Sequence, residues 1–153
     1  MIVYNKGNLL VHSTDKIIVH GVNCLGVMGA GVALSLKLKY PELEPNYKAY
    51  CKTWEGDSPN LLGEVFPFLA NDGILILNMF TQAKVSSHGD KMVSYDALYD
   101  GFIKVSEFCV NNDVSSISIP KIGAGLGGGR WSIIEKIIEE TVDPSITVNV
   151  WVL

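Results

Sequence analysis

Residues 116–131, SISIPKIGAGLGGGRW, limit what this chain can fold into more than any other stretch. They open with β-branched residues, Ile117, Ile119 and Ile122 among them, which read as a buried strand. Pro120 ends the ladder, because proline has no backbone N–H to donate. Five glycines then fall within seven positions: Gly123, Gly125, Gly127, Gly128 and Gly129. Residues 131–140 follow as an amphipathic helix, with Ile133, Ile134, Ile137 and Ile138 on one face and Glu135, Lys136, Glu139 and Glu140 off it. Strand, glycine loop and helix in this order expose bare N–H groups and a helix N-terminus, which suit an anion. A phosphate-bearing ligand is the expectation; an ordinary strand-to-helix turn is the alternative. The loop is not of the Walker type, since no Lys-Ser or Lys-Thr follows its glycines. Its spacing also fails the dinucleotide fingerprint, which places an acidic residue about twenty positions later.

A second loop of the same kind strengthens the expectation. Residues 16–22, KIIVHGV, read as a strand covered on both faces. They run into Asn23-Cys24-Leu25-Gly26-Val27-Met28-Gly29-Ala30-Gly31 and then into a helix over 32–40 that closes at Pro41. In an open α/β sheet, ligands sit outside the carboxyl ends of the strands. Two glycine loops at that edge would clamp one extended phosphorylated molecule.

The other elements fit the same class. Residues 1–4 read as a strand closed by the turn Asn5-Lys6-Gly7-Asn8, and 41–54 as a helix with proline near its first turn. Residues 62–69 and 74–80 read as strands joined by Asn71-Asp72-Gly73, and 82–91 as a polar loop. Leu98, Phe102, Val105, Phe108 and Cys109 give a helical repeat over Tyr95–Asn111, and 146–153 is a last strand. Strands alternating with helices predict a three-layer α/β/α sandwich with a mixed central sheet, in one domain over 1–153.

Composition narrows the partners. With 48% hydrophobic residues and a net charge of −4, the chain has a globular balance and lacks the basic field of a nucleic-acid binder. A phosphate would therefore be held by backbone and helix ends. Cys24, Cys51 and Cys109 have no metal-ligand spacing and leave an odd thiol, which suits reduced cysteines and a cytoplasmic protein. No leader is visible, and no apolar run approaches the roughly eighteen residues of a membrane span. Nothing argues for a dimer, so a monomer is expected, with no cofactor and no metal.

Taken together, the motifs resemble the macrodomain family of ADP-ribose-binding α/β/α modules. The similarity runs through VYNKGNLL, IVHGVNCLGVMGAGVA, YPELEPNYKAYCKTW, NLLGEV, FTQAKVSSHG, IPKIGAGLGGGRW and ITVNVWVL. Within the family the chain is most similar to the branch holding ADP-ribose 1''-phosphate phosphatases and terminal ADP-ribose glycohydrolases. By that resemblance Asn8 stands where relatives carry an aspartate for the adenine amino group, Leu9 walls the base, and Trp151 stacks on it. The resemblance puts Gly29, Ala30 and Gly31 at the distal ribose and one phosphate. Gly123, Ala124, Gly125, Leu126 and Gly127 close on the diphosphate, and Gly21, Val32, Pro120 and Ile122 complete the lining. Asn23 would orient the distal ribose, and His20 would act as catalyst, titrating near neutrality. A histidine inside an apolar strand is equally a core residue, and Trp151 equally an edge tryptophan. His88, in the SSHG segment, reads as a solvated loop residue.

The chain departs from the glycohydrolases. The lysine that follows Phe80-Thr81 there is Gln82 here, and the aspartate after Gly123–Leu126 is Gly127. Gln82 cannot link covalently to an opened ribose, and Gly127 has no carboxylate; Lys84 is the one nearby amine. The resemblance then implies binding of ADP-ribose and slow, metal-independent hydrolysis of ADP-ribose 1''-phosphate. A non-catalytic ADP-ribose reader, or a hydrolase acting on ADP-ribosylated protein, are the alternatives.

Overall fold

The computed structural model describes residues 1–56, 58–84, 93–125 and 127–153. Six strands form one mixed sheet in the order β1-β6-β5-β2-β4-β3. These are β1 (Ile2–Lys6), β2 (Ile17–Asn23), β3 (Val65–Leu69), β4 (Leu75–Gln82), β5 (Ser116–Ile119) and β6 (Thr147–Val152). Every pairing is parallel except β3 with β4, which the turn at Asn71–Gly73 makes antiparallel. The helices are α1 (Leu9–His12), α2 (Gly31–Lys39), α3 (Leu43–Lys52), α4 (Tyr95–Asn111) and α5 (Trp131–Thr141).

Alternation along the strands sorts the sheet into two cores. Ile17, Val19, Leu77, Met79, Ile117, Ile119, Val148 and Val150 meet Leu98, Phe102, Val105 and Cys109 of α4 and Ile134 and Ile138 of α5. Val22, Ile76 and Phe80 point the other way, to Leu36 of α2 and Leu43 and Tyr47 of α3. The expected α/β/α sandwich is what forms. Each large apolar side chain buried this way stabilises the fold by about 1.5–3 kcal/mol.

Several boundaries differ from the sequence reading. Asn5 and Lys6 are strand, not turn, because they pair with Trp151 and Val152. Ile122 is buried but lies past β5, its N–H bonded to Pro120 O at 2.8 Å. The helix expected over 41–54 is shorter, and Ser58–Leu61 is a 3-10 turn before β3, which starts at Val65 rather than at 62. Gln82 belongs to β4, since it pairs with Asn23; the remainder of the expected polar loop, from 85 on, lies outside the described residues, and His88 with it. Helix α1 went unseen because four residues show no periodicity.

On the face toward α1, the β1–β6–β5 half of the sheet is polar. Asp15 Oδ2 accepts from Ser118 Oγ at 2.6 Å and from Asn149 Nδ2 at 3.0 Å, and Trp151 Nε1 donates to Ser118 Oγ at 3.0 Å. Buried polar groups persist when paired in this way. Among the described residues, no helix is long and apolar enough to cross a membrane.

Candidate functional site

Chain winding creates the site. After β2 the chain passes to α2 and α3 on one face, and after β5 to α5 on the other, although β2 and β5 are neighbours. Their loops diverge and leave a crevice at the carboxyl ends of the strands. A cleft of about 510 Å³ occupies it. It is lined by His20, Gly21, Asn23, Gly29, Ala30, Gly31, Val32, Pro120, Ile122, Gly123, Gly125 and Gly127, twelve of the positions expected from sequence. Val22, Val27, Ala33, Thr81, Gln82 and Lys121 also line it.

One wall is the start of α2. Ala30 occupies the cap position but provides no side-chain hydrogen bond, and no acidic residue stands in the first turn. The first intrahelical bond runs from Leu34 N to Ala30 O, so the N–H groups of Gly31, Val32 and Ala33 have no partner within the helix. The macrodipole adds partial positive charge at the same point. Among the described lining residues there is no carboxylate, and Lys121 is the charged side chain present. An anion meets donors here and no repulsion.

The loop after β2 owes its shape to Asn23. Its Oδ1 accepts from Leu25 N at 3.0 Å and Val27 N at 3.2 Å, while Nδ2 donates to Val27 O at 2.8 Å. Tyr47, fully buried in α3, donates its hydroxyl to Asn23 O at 2.5 Å. The side chain expected to orient a ribose is thus spent largely on holding its own loop.

The opposite wall is the glycine loop, and its glycines answer to space. Gly129 N donates to Gly123 O at 2.7 Å, Gly128 N to Gly125 O at 3.0 Å, and Val93 N to Gly127 O at 3.0 Å. A Cβ at Gly127 would stand 2.9 Å from Gly123 O, and one at Gly129 2.8 Å from the same atom. Gly123 itself has φ +79°. At Gly125 a side chain would meet nothing within 4 Å.

His20 forms part of the cleft wall yet is only 1% exposed. Its Nε2 lies 2.6 Å from Asn78 Oδ1, and Nδ1 is buried without a partner among the described residues. Burial lowers its pKa to about 4, against a smaller upward pull from Asn78. The expected titration near neutrality is therefore not met: burial holds His20 neutral at pH 7. The consequence for stability follows from linkage. The unfolded chain takes up a proton near pH 6.5 that the folded chain refuses until about pH 4. This part of the stability is complete above about pH 6.5 and declines as pH falls toward 4, by a few kcal/mol in all, roughly. Urea midpoints measured from pH 7 to 4 should fall less steeply for His20→Gln than for the unaltered protein; equal slopes would contradict the buried neutral imidazole.

Thr81 is a residue that sequence reading passed over. Val22 pairs with Phe80 but Asn23 with Gln82, so β4 carries Thr81 as an extra residue. A Cβ at Gly21 would stand 2.8 Å from Thr81 Oγ1, so Gly21 is what admits the threonine to the cleft floor. Beside it, Gln82 Nε2 donates to Lys84 O at 2.6 Å. A register shift is not visible in sequence; an alternation break at Thr81 was the only trace.

Asn8, Leu9, Ala124 and Trp151 stand outside this lining, and Leu126 lies outside the described residues. Asn8 Oδ1 caps α1 by accepting from Leu10 N at 2.9 Å, and Leu9 is buried. Trp151 stacks beside His12, with ring centroids 6.4 Å apart and planes at 17°. Because Ile119 pairs with Val150, Trp151 is level with Pro120 and adjoins the cleft at the same sheet edge. Among the described residues, no three His, Cys, Asp or Glu side chains gather to hold a metal ion.

A mixed α/β/α sandwich with an anion-receptive crevice between its β2 and β5 loops defines the class of protein. The family model of the Macro domain matches residues 19–138, and the chain belongs to the macrodomain family. It is 31% identical to the ADP-ribose 1''-phosphate phosphatase of Saccharomyces cerevisiae, over 96% of this chain and 97% of that protein. It is 33% identical to the DNA ADP-ribosyl glycohydrolase of Mycobacterium bovis, over 89% of this chain but 37% of that longer protein. Among solved structures, a protein of unknown function from Bacteroides thetaiotaomicron superposes with a TM-score of 0.87 at 30% identity, covering 100% of this chain and 98% of that one. The macrodomain of Mycobacterium tuberculosis DarG gives 0.80 at 26% identity, covering 99% and 97%.

Proposed function

We propose that the cleft binds ADP-ribose and that the protein hydrolyses ADP-ribose 1''-phosphate to ADP-ribose and inorganic phosphate. The observation that carries the reading is the facing of two N–H-rich walls, the uncapped start of α2 and the loop residues 121–125 and 127, with no carboxylate among the described lining residues. The diphosphate takes the α2 N–H groups and the glycine loop, and the base extends past Pro120 toward Trp151. The distal ribose then falls near His20, Thr81 and Gln82. In the reaction, water adds to phosphorus and the bond from phosphorus to the 1''-oxygen breaks. The sugar leaves as a hydroxyl and phosphate as the second product. Neutral His20 accepts a proton from the attacking water through Nδ1 and returns it to the departing 1''-oxygen, which leaves as the hydroxyl, while Lys121 offsets developing charge. The likeness to the yeast phosphatase along nearly its whole length supports this choice of substrate.

A second reading, a binding module without turnover, is favoured by one feature. Asn23 is committed to its own loop, and among the described lining residues no hydroxyl or thiol is paired with a base. Removal of ADP-ribose from a macromolecule, the activity named for the mycobacterial relative, meets an obstacle at Gln82 and Gly127. A carboxylate at 127 would begin with a Cβ 2.9 Å from Gly123 O.

Phosphate release from ADP-ribose 1''-phosphate, measured beside calorimetric titration with ADP-ribose, tests the proposal. The expected result is micromolar or tighter binding, about 8 kcal/mol or more, with release that His20→Ala abolishes. Binding without release would establish the reader instead, and release unchanged in His20→Ala would remove His20 from the reaction.

A further inference from the structure

We propose that Asn78 is a positioning residue: it holds His20 as the tautomer protonated on Nε2, and so presents the bare Nδ1 as an acceptor to the bound ligand or its water. The inference deepens the reading above and rests on it for the identity of the ligand.

The pair is built into the sheet. His20 of β2 lies directly opposite Asn78 of β4, on the face turned toward α2 and α3, and both side chains are buried. The direction of each hydrogen bond is fixed from the far end. Phe66 O, a carbonyl, only accepts, and Asn78 Nδ2 lies 2.9 Å from it. Turning the amide over would set Asn78 Oδ1 against that oxygen with no proton between them. Oδ1 must therefore face His20, and an oxygen 2.6 Å from Nε2 requires the proton on Nε2. Nδ1 is left with a lone pair, sealed from bulk solvent and without a partner among the described residues. Bare buried acceptors are uncommon where no function uses them.

Place and chemistry then limit what Nδ1 can meet. His20 shares the cleft with Gly21, Thr81 and the start of α2. A lone pair repels phosphate oxygens, so the group that meets it, once His20 or the cleft wall shifts to uncover the buried Nδ1, is a ribose hydroxyl or a water. Among the described residues, burial and the Asn78 amide are what act on the protonation of His20, and no charged side chain contributes. The imidazole accordingly remains an acceptor throughout the neutral range.

The test reads the ring nitrogens directly. In 15N-labelled protein carrying His12→Gln and His88→Gln, His20 is the remaining imidazole. From pH 6 to 8 its Nε2 should show the protonated nitrogen signal and Nδ1 the bare one, and saturating ADP-ribose should move the Nδ1 signal. Asn78→Asp places a carboxylate at Nε2 and should raise the titration of His20 toward neutrality. ADP-ribose affinity should then be about tenfold weaker at pH 6 than at pH 8, a ratio absent from the unaltered protein. Asn78→Leu should give mixed tautomers and a similar loss without the pH ratio. A proton on Nδ1 in the unaltered protein would overturn the proposal. So would an Nδ1 signal indifferent to ligand, or a pH-independent affinity in Asn78→Asp once His20 has shifted. Spectra of the protein with native Asn78 decide the tautomer even if both substitutions fail to fold. Failure of ADP-ribose to bind at all would sink the ligand reading alone, because the tautomer is read without ligand.

Discussion

Gly125→Glu is expected to abolish measurable ADP-ribose binding while leaving the fold intact. The position has no positive φ, and an added side chain meets nothing within 4 Å, so folding proceeds without strain. The same open space belongs to the cleft, where Gly125 faces the α2 wall. A glutamate there occupies the ligand's volume and sets a carboxylate against a diphosphate in surroundings with little compensating charge. Like charges so placed cost several kcal/mol, which is an affinity loss of about 100-fold or more. Calorimetry against ADP-ribose, paired with an unfolding curve, separates the two effects. Intact binding would show that this loop does not cradle the diphosphate.

Gly129→Ala should behave in the opposite way, although it adds a single methyl group to the same loop. Its Cβ would stand 2.8 Å from both Gly123 O and Val93 Cγ1, and 3.1 Å from Ile134 Cδ1. The nearest of these is backbone and cannot rotate aside. The loop must shift and lose the bond from Gly129 N to Gly123 O. Overpacking of this kind costs about 1–3 kcal/mol. The urea midpoint should fall accordingly, with ADP-ribose affinity falling alongside it, whereas Gly125→Ala should change stability little. Equal stability of the two alanine variants would refute the close-approach account of these glycines.

The contrast shows what a glycine count conveys. Five glycines in seven positions suggest a mobile loop, but the structure gives them separate reasons: a positive φ at Gly123, close approach at Gly127 and Gly129, open space at Gly125. Asn23 and His20 show the same limit. Both were candidates through the resemblance to macrodomains, which assigns those two positions a role. Their partners, Val27 and Tyr47 for one and Asn78 for the other, lie four, 24 and 58 positions away. The pairings with Tyr47 and Asn78 lie beyond the reach of any local pattern.

What the sequence determined by itself was the layer architecture, most of the elements and the two facing loops. Periodicity, proline and glycine act over a few residues, so their effects are readable where they stand. The tertiary structure alone decided that His20 is neutral, that Asn23 braces its own loop, and that Thr81 reaches the cleft floor across from Gly21. Each of these depends on which strand lies beside which and in what register. Burial and hydrogen bonding arise from that juxtaposition, which the order of residues along one strand does not contain.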